Sequence, residues 1–233
     1  MAAVMADWLA LHGVTAGDCL GRLLPLAGEN AGDPPPDPAL ADPLPVVLAA
    51  LRRALPVAAP LLDRLPAEAD INLAPDLRRF PRAFTLRDAG RGRPYVSCPL
   101  RGRLSDLLTL GHEAGHACQS LIRGAAAPDV PPVLRELAAY LAEELVLAGL
   151  AQHALGQTAR ALHAARTARI MGRNAASLRR GLQDPQQAVY DYGWNYPLAR
   201  DLAARVQARW PDADKWQVIG GHVALPDLWA GTL

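Results

Sequence analysis

The chain has little of what holds small secreted domains together. Its three cysteines, Cys19, Cys98 and Cys118, are too few and odd in number for a disulfide framework. No two of them have metal-finger spacing, so a reducing compartment is expected and Cys98 and Cys118 read as small apolar fillers. An excess of charge of one sign is also missing. Lys+Arg 24 stands against Asp+Glu 23, a formal net +1, which removes the broad basic field that non-specific nucleic-acid binding relies on. Nucleic acid is therefore not an expected partner. Lysine is almost absent, Lys215 being the only one, a bias that a GC-rich coding sequence accounts for as well as function does. No apolar run reaches the roughly 18 residues of a membrane span. The first residues lack a basic region and meet Asp7 before any sustained apolar stretch. A cytoplasmic protein with no membrane partner is the expectation.

What is present suffices for a buried core: 51% of the residues are hydrophobic and 20% charged. Prolines cluster around Asp33, Asp37 and Asp42, which marks a connector near 32–45 within an N-terminal helical segment, 1–66. Val47, Leu48, Leu51 and Leu55, then Leu61, Leu62 and Leu65, recur at helical spacing with breaks at Pro56 and Pro60. Alternation in 82–87 and again in 93–98, around a turn at 89–92, predicts a β-hairpin. Helical patterns then return, predicting helices near 104–123, 132–150, 157–181, 186–209 and 213–220. The fold class expected is mainly α, with a small hairpin or sheet just before the most informative helix and a core over 67–233, the whole forming one domain.

That helix carries His112-Glu113-Ala114-Gly115-His116. On a helix the two histidines are one turn apart and share a face, so both imidazoles reach one metal ion while Glu113 reaches water bound to it. A third ligand is required. The metzincin pattern is excluded, because Gln119 and Ile122 stand where a glycine and a third histidine belong. The next helix offers Glu136, with Tyr140 and Glu143 on the same face. Two histidines and a glutamate leave an open position on zinc, the arrangement of a catalytic site, and zinc is the expected cofactor. Glu113 is then the expected general base for hydrolysis of an amide bond.

Pro94-Tyr95 ahead of Thr109-Leu110-Gly111-His112-Glu113-Ala114-Gly115-His116 resembles the segment of oligopeptidase F and thimet-type oligopeptidases in which a "PY" strand precedes "TLxHExGH". The resemblance implies a zincin-like helical catalytic core acting on peptides, with Glu136 as zinc ligand and Glu143 behind the ligands. The interval from His116 to Glu136 is shorter than is usual there and nearer that of thermolysin-like gluzincins; both comparisons select Glu136. Tyr190, Tyr192 and Tyr196 resemble the family's tyrosine-rich segment, which implies that one of the three donates a hydrogen bond to the developing oxyanion. The likeness spans residues 80–200 at most, and the larger helical domain that restricts relatives to short peptides has little counterpart here.

Two functions follow as expectations. One is a zinc peptidase cleaving short or unstructured peptides, with substrate laid along an edge of the strand Tyr95–Cys98. The other is a catalytically silent zinc-site protein that binds or regulates a partner. His153 and His163 read as solvated or internally satisfied histidines, and His222 as a loop residue able to act as a second donor. Arg160, Arg166, Arg169, Arg173, Arg179 and Arg180 read as a solvated helix face or as a site for a peptide carboxylate.

Overall fold

The computed structural model describes residues 4–23, 35–87 and 93–231. Helices α1 (Met5–His12), α2 (Ala16–Leu23), α3 (Pro43–Ala54) and α4 (Ala59–Glu68) make up the N-terminal part. Val47, Leu48, Leu51 and Leu55 are buried, as their spacing predicts. Leu55, which precedes Pro56, leaves the helical region at φ −140° and ψ 76°, and a 3-10 turn over Pro56–Ala58 joins α3 to α4. Of the expected connector, residues 32–34 lie outside the described residues. Farther along it, the Asp37 carboxylate accepts from Ser105 N–H at 2.9 Å and Ser105 Oγ at 2.7 Å, tying the connector to the start of the motif helix.

The sheet holds β1 (Asp70–Asn72), β2 (Phe84–Arg87) and β3 (Pro94–Ser97). β2 and β3 pair antiparallel with Thr85 opposite Val96, the hairpin that the alternation predicts. The predicted turn at 89–92 lies outside the described residues. β1 has no counterpart in the sequence reading, since three residues are too short to show alternation; it pairs parallel to β3 with Ile71 opposite Val96. The order is therefore β1-β3-β2. This corrects the expected substrate edge: β3 is central and paired on both sides, so the strand Tyr95–Cys98 has no free edge to offer. β2 is the strand beside the motif helix that keeps one edge without a strand neighbour among the described residues.

Helix α5 (Asp106–Arg123) carries the motif. Asp106 Oδ2 accepts from the N–H groups of Arg101 at 2.9 Å and Arg103 at 3.0 Å, fixing the entry to the helix. Helix α6 (Pro132–Gly149) starts with proline in its first turn, where no N–H is needed, and returns antiparallel to α5. The N–H of Val133, also unpaired within the helix, donates to His12 Nε2 at 3.2 Å. α6 is the central helix of the molecule, with Val133, Leu137, Leu141 and Leu145 fully buried. Around it lie α3, α5 and α8 (Asn195–Arg209), with α7 (Gly156–Gln183), α9 (Asp212–Ile219) and α10 (Leu225–Gly231) completing the shell. One continuous cluster of buried side chains runs from Met5 and Trp8 through α6 to Trp229.

The predicted helix 186–209 begins only at Asn195, after a 3-10 turn over Tyr192–Trp194. The reason is tertiary. Met5 N–H donates to Ala188 O at 2.9 Å and Ala6 N–H to Pro185 O at 2.8 Å, so α1 draws this segment out of helical conformation. Tyr190 thus precedes the helical backbone, Tyr192 opens the 3-10 turn, and Tyr196 lies in the first turn of α8 that follows directly from it.

Candidate active site

The site exists because two helices approach unusually closely. Gly111 and Gly115 are one turn apart on α5 and face α6. A Cβ on Gly115 would stand 2.7 Å from Ala138 O and 2.7 Å from Ala139 Cα, and one on Gly111 would stand 3.0 Å from Val146 Cγ2. Glycine at 115 is therefore a requirement of packing, and it draws the face carrying His112 and His116 onto the face carrying Glu136 and Glu143. Gly115→Ala is expected to destabilise the fold by about 1–3 kcal/mol through overpacking against backbone that cannot yield. Thermal unfolding with metal-binding measurements on the variant checks this; an unchanged midpoint would mean that the helices separate freely.

His112, His116 and Glu136 each offer a ligand atom, all within 4.8 Å of one another, a spacing that suits one metal ion. His112 Nε2 is 3.5 Å and His116 Nε2 3.9 Å from Glu136 Oε2. Behind them Glu143, fully buried, takes His112 Nδ1 at 2.8 Å, which leaves Nε2 of that ring for the ligand position. His116 has no such support: its Nδ1 is buried without a partner. The two rings titrate apart for that reason. Burial alone would lower His112, but its hydrogen bonds to Glu136 and Glu143 outweigh this and hold it up at about 9, whereas burial takes His116 down to about 4. Two buried carboxylates thus draw positive charge to the gap between the ligand atoms.

Glu143 itself is held by Arg200, whose Nη2 donates to Oε2 at 2.9 Å, and Arg166 Nη2 stands 3.6 Å from Oε1. Arg200 is buried, contacts His163 Nε2 and lies over the Tyr140 ring at 4.2 Å, while Tyr140 in turn meets His112 edge-on at 5.0 Å. His163 is accordingly an internal member of a charge network, with its pKa pushed down to about 4 by burial and then by Arg200. A histidine lowered in the folded state contributes no pH dependence above its unfolded value of about 6.5 and costs stability as pH falls toward the folded value. Unfolding midpoints are expected to drop between pH 6.5 and about 4, with a shallower drop in His163→Gln.

Glu113 lines the same cleft as His112, His116 and Glu136, is 4% exposed, and accepts from Thr85 Oγ1 at 2.7 Å on Oε2. Burial raises its pKa above the ordinary carboxylate value, against the opposing pull of His112 and Thr85. The cleft has a volume of about 360 Å³ and is walled by β2, α5, the first turn of α6 and two of the tyrosines. Those two are Tyr192 and Tyr196. Tyr192 OH donates to Glu136 Oε1 at 2.5 Å and accepts from Arg135 at 2.6 Å, so it is committed to these two side chains. The Tyr196 hydroxyl makes no hydrogen bond to any described residue. Tyr190 is not part of the lining; its hydroxyl accepts from Asn195 Nδ2 at 2.9 Å.

Set against known proteins, the chain matches no family model, no curated protein and no solved structure.

The other expected residues fall outside the cleft. His153 turns back to accept the Leu155 N–H at 3.2 Å, and His222 is exposed. Cys98 and Cys118 are buried, and burial pushes both thiols up to about 12, which suits apolar filling. None of the arginines from 160 to 180 lines the cleft. The sequence reading missed Thr85, Arg135 and Arg200; Thr85 had a usable signal, since its side-chain direction follows from strand alternation beside the motif helix. No described helix is long and apolar enough to cross a membrane.

Proposed function

We propose that the protein is a zinc-dependent peptidase. The observation that carries this reading is the convergence of His112, His116 and Glu136 within 4.8 Å, with buried Glu113 lining the same cleft. Donors bound to a tetrahedral zinc at about 2.0–2.1 Å lie about 3.4 Å apart, close to the 3.5 and 3.9 Å separations here. Zinc so held supplies Lewis acidity and a water whose pKa falls toward about 7. Glu113 takes a proton from the attacking water and returns it to the leaving amine. Its raised pKa suits both transfers, because an acid this buried holds a proton better than an exposed glutamate. Thr85 steadies Oε2 of Glu113, while Oε1 has no hydrogen-bond partner among the described residues. An extended substrate backbone pairs with the open edge of β2, the role first expected of β3.

Tyr196 is the phenol available to the developing oxyanion, since Tyr192 is engaged by Glu136 and Arg135. Tyr196→Phe is expected to lower kcat about 10²-fold with KM little changed, the signature of a donor used in the transition state. Steady-state kinetics on both Phe variants test the assignment; a larger kcat loss in Tyr192→Phe, with zinc affinity intact, would transfer the role to Tyr192.

The reading itself is tested by incubating zinc-loaded protein with a mixed library of unstructured peptides and sequencing the products by mass spectrometry. New internal termini that a chelator prevents are expected. Stoichiometric zinc with no cleavage of any peptide would overturn the enzyme reading in favour of a silent metal-site module.

A further inference from the structure

The charge of the cleft is lopsided. Three arginines line it, and all sit at the end where α5 leaves and α6 begins: Arg87 closes β2, Arg123 is in the last turn of α5, and Arg135 is in the first turn of α6. Neutral groups hold each of them. Arg87 Nη2 donates to the carbonyls of Gly124 and Ala125, the latter at 2.8 Å. Arg123 donates to Gly221 O at 3.2 Å and Pro128 O at 3.0 Å. Arg135 donates to Tyr192 OH at 2.6 Å and stacks on that ring at 5.5 Å. Two carboxylates stand by this group: Asp129, 3.9 Å from Arg87 and fully exposed, where water screens it, and Glu136, which meets Arg135 through the Tyr192 hydroxyl and is already shared with His112 and His116. Arg123 and Arg135 form no salt bridge with any described residue, and Nε of both Arg87 and Arg123 is buried without a partner. Carbonyls orient a guanidinium without neutralising it. Closing the C-terminal end of α5 accounts for Arg87, but not for three arginines, none of them in a close ion pair with a described residue, at one end of a cleft in a chain whose net charge is +1.

We propose that this end of the cleft is an anion subsite that selects carboxylate-bearing peptides, through an Asp or Glu side chain or a free C-terminus; as a statement about substrate, this rests on the peptidase reading. Arg123 lies seven residues beyond His116 on α5, about 10 Å along the helix axis. An extended peptide covers that distance in about three residues, so the carboxylate belongs about three residues from the scissile bond.

The test uses zinc-loaded Glu113→Gln protein, so that binding is read without turnover, and fluorescein-labelled peptides of one neutral sequence. One set carries a single Glu scanned through the sequence with an amidated C-terminus; another has no Glu and a free C-terminus; the reference is neutral and amidated. A charge-assisted contact predicts that at least one acidic peptide binds about tenfold or more tightly than the reference. The set that gains identifies the carboxylate as side chain or terminus. The gap should close when Arg87→Gln and Arg123→Gln are added, and in their absence it should shrink as sodium chloride rises from about 50 to 500 mM. The salt arm needs no folded arginine variant. Equal affinities, or a gap that survives both the substitutions and salt, would overturn the subsite. Charge-selective binding without cleavage by the unmodified protein would sink the peptidase reading alone, whereas cleavage with no charge preference would sink the subsite alone.

Discussion

Peptide hydrolysis is expected to fall about 10²–10⁴-fold in Glu113→Gln, with zinc content unchanged. Glu113 is not among the ligand atoms, and glutamine keeps the size of the side chain and an oxygen able to accept the 2.7 Å hydrogen bond from Thr85. What glutamine cannot do is carry the proton between water and the leaving amine. The loss should fall on kcat, because the proton moves only as the reaction proceeds. Hydrolysis undiminished in this variant would mean that the cleavage is performed elsewhere or by another protein in the sample.

Removal of Glu143 should have the largest effect on stability. Glu143→Ala leaves Arg200, 2% exposed, without its carboxylate and strips His112 Nδ1 of its 2.8 Å partner. Breaking a buried ion pair from one side costs about 3–5 kcal/mol, and loss of a group that orients a metal-bound histidine costs about 10–100-fold in metal affinity. Denaturant unfolding reads the first and competition with a calibrated zinc chelator the second. Glu143→Gln separates the two effects, since the amide fills the space and can still accept from Arg200 while losing the charge. A wild-type unfolding midpoint in Glu143→Ala would show that the buried network contributes nothing.

The parts of this site that lie within one helix were legible in the sequence. His112 and His116 are fixed by the 3.6-residue repeat, and Glu136 shares a helical face with Tyr140 and Glu143 for the same reason. The hairpin was legible as well, because residues 82–87 and 93–98 alternate on either side of the glycine-containing stretch 89–92, and β2 and β3 pair antiparallel. Its place in the sheet was not, since that depends on β1, three residues whose pairing with β3 is non-local. The same limit hid Arg200 and His163, which meet Glu143 from two other helices, and it misplaced the start of α8, which the pull of α1 on Pro185 and Ala188 determines. Gly115 stood in the motif from the outset, but the reason for glycine there appears only when Ala138 and Ala139 come within 2.7 Å of its absent Cβ.

The most direct test of the central claim is peptide cleavage followed as zinc is added back to chelator-stripped protein. No cleavage is expected without metal, then a rise proportional to added zinc, and a plateau at one zinc per chain. Cleavage that persists undiminished after chelation, or that fails to appear once each chain holds its zinc, would contradict the claim.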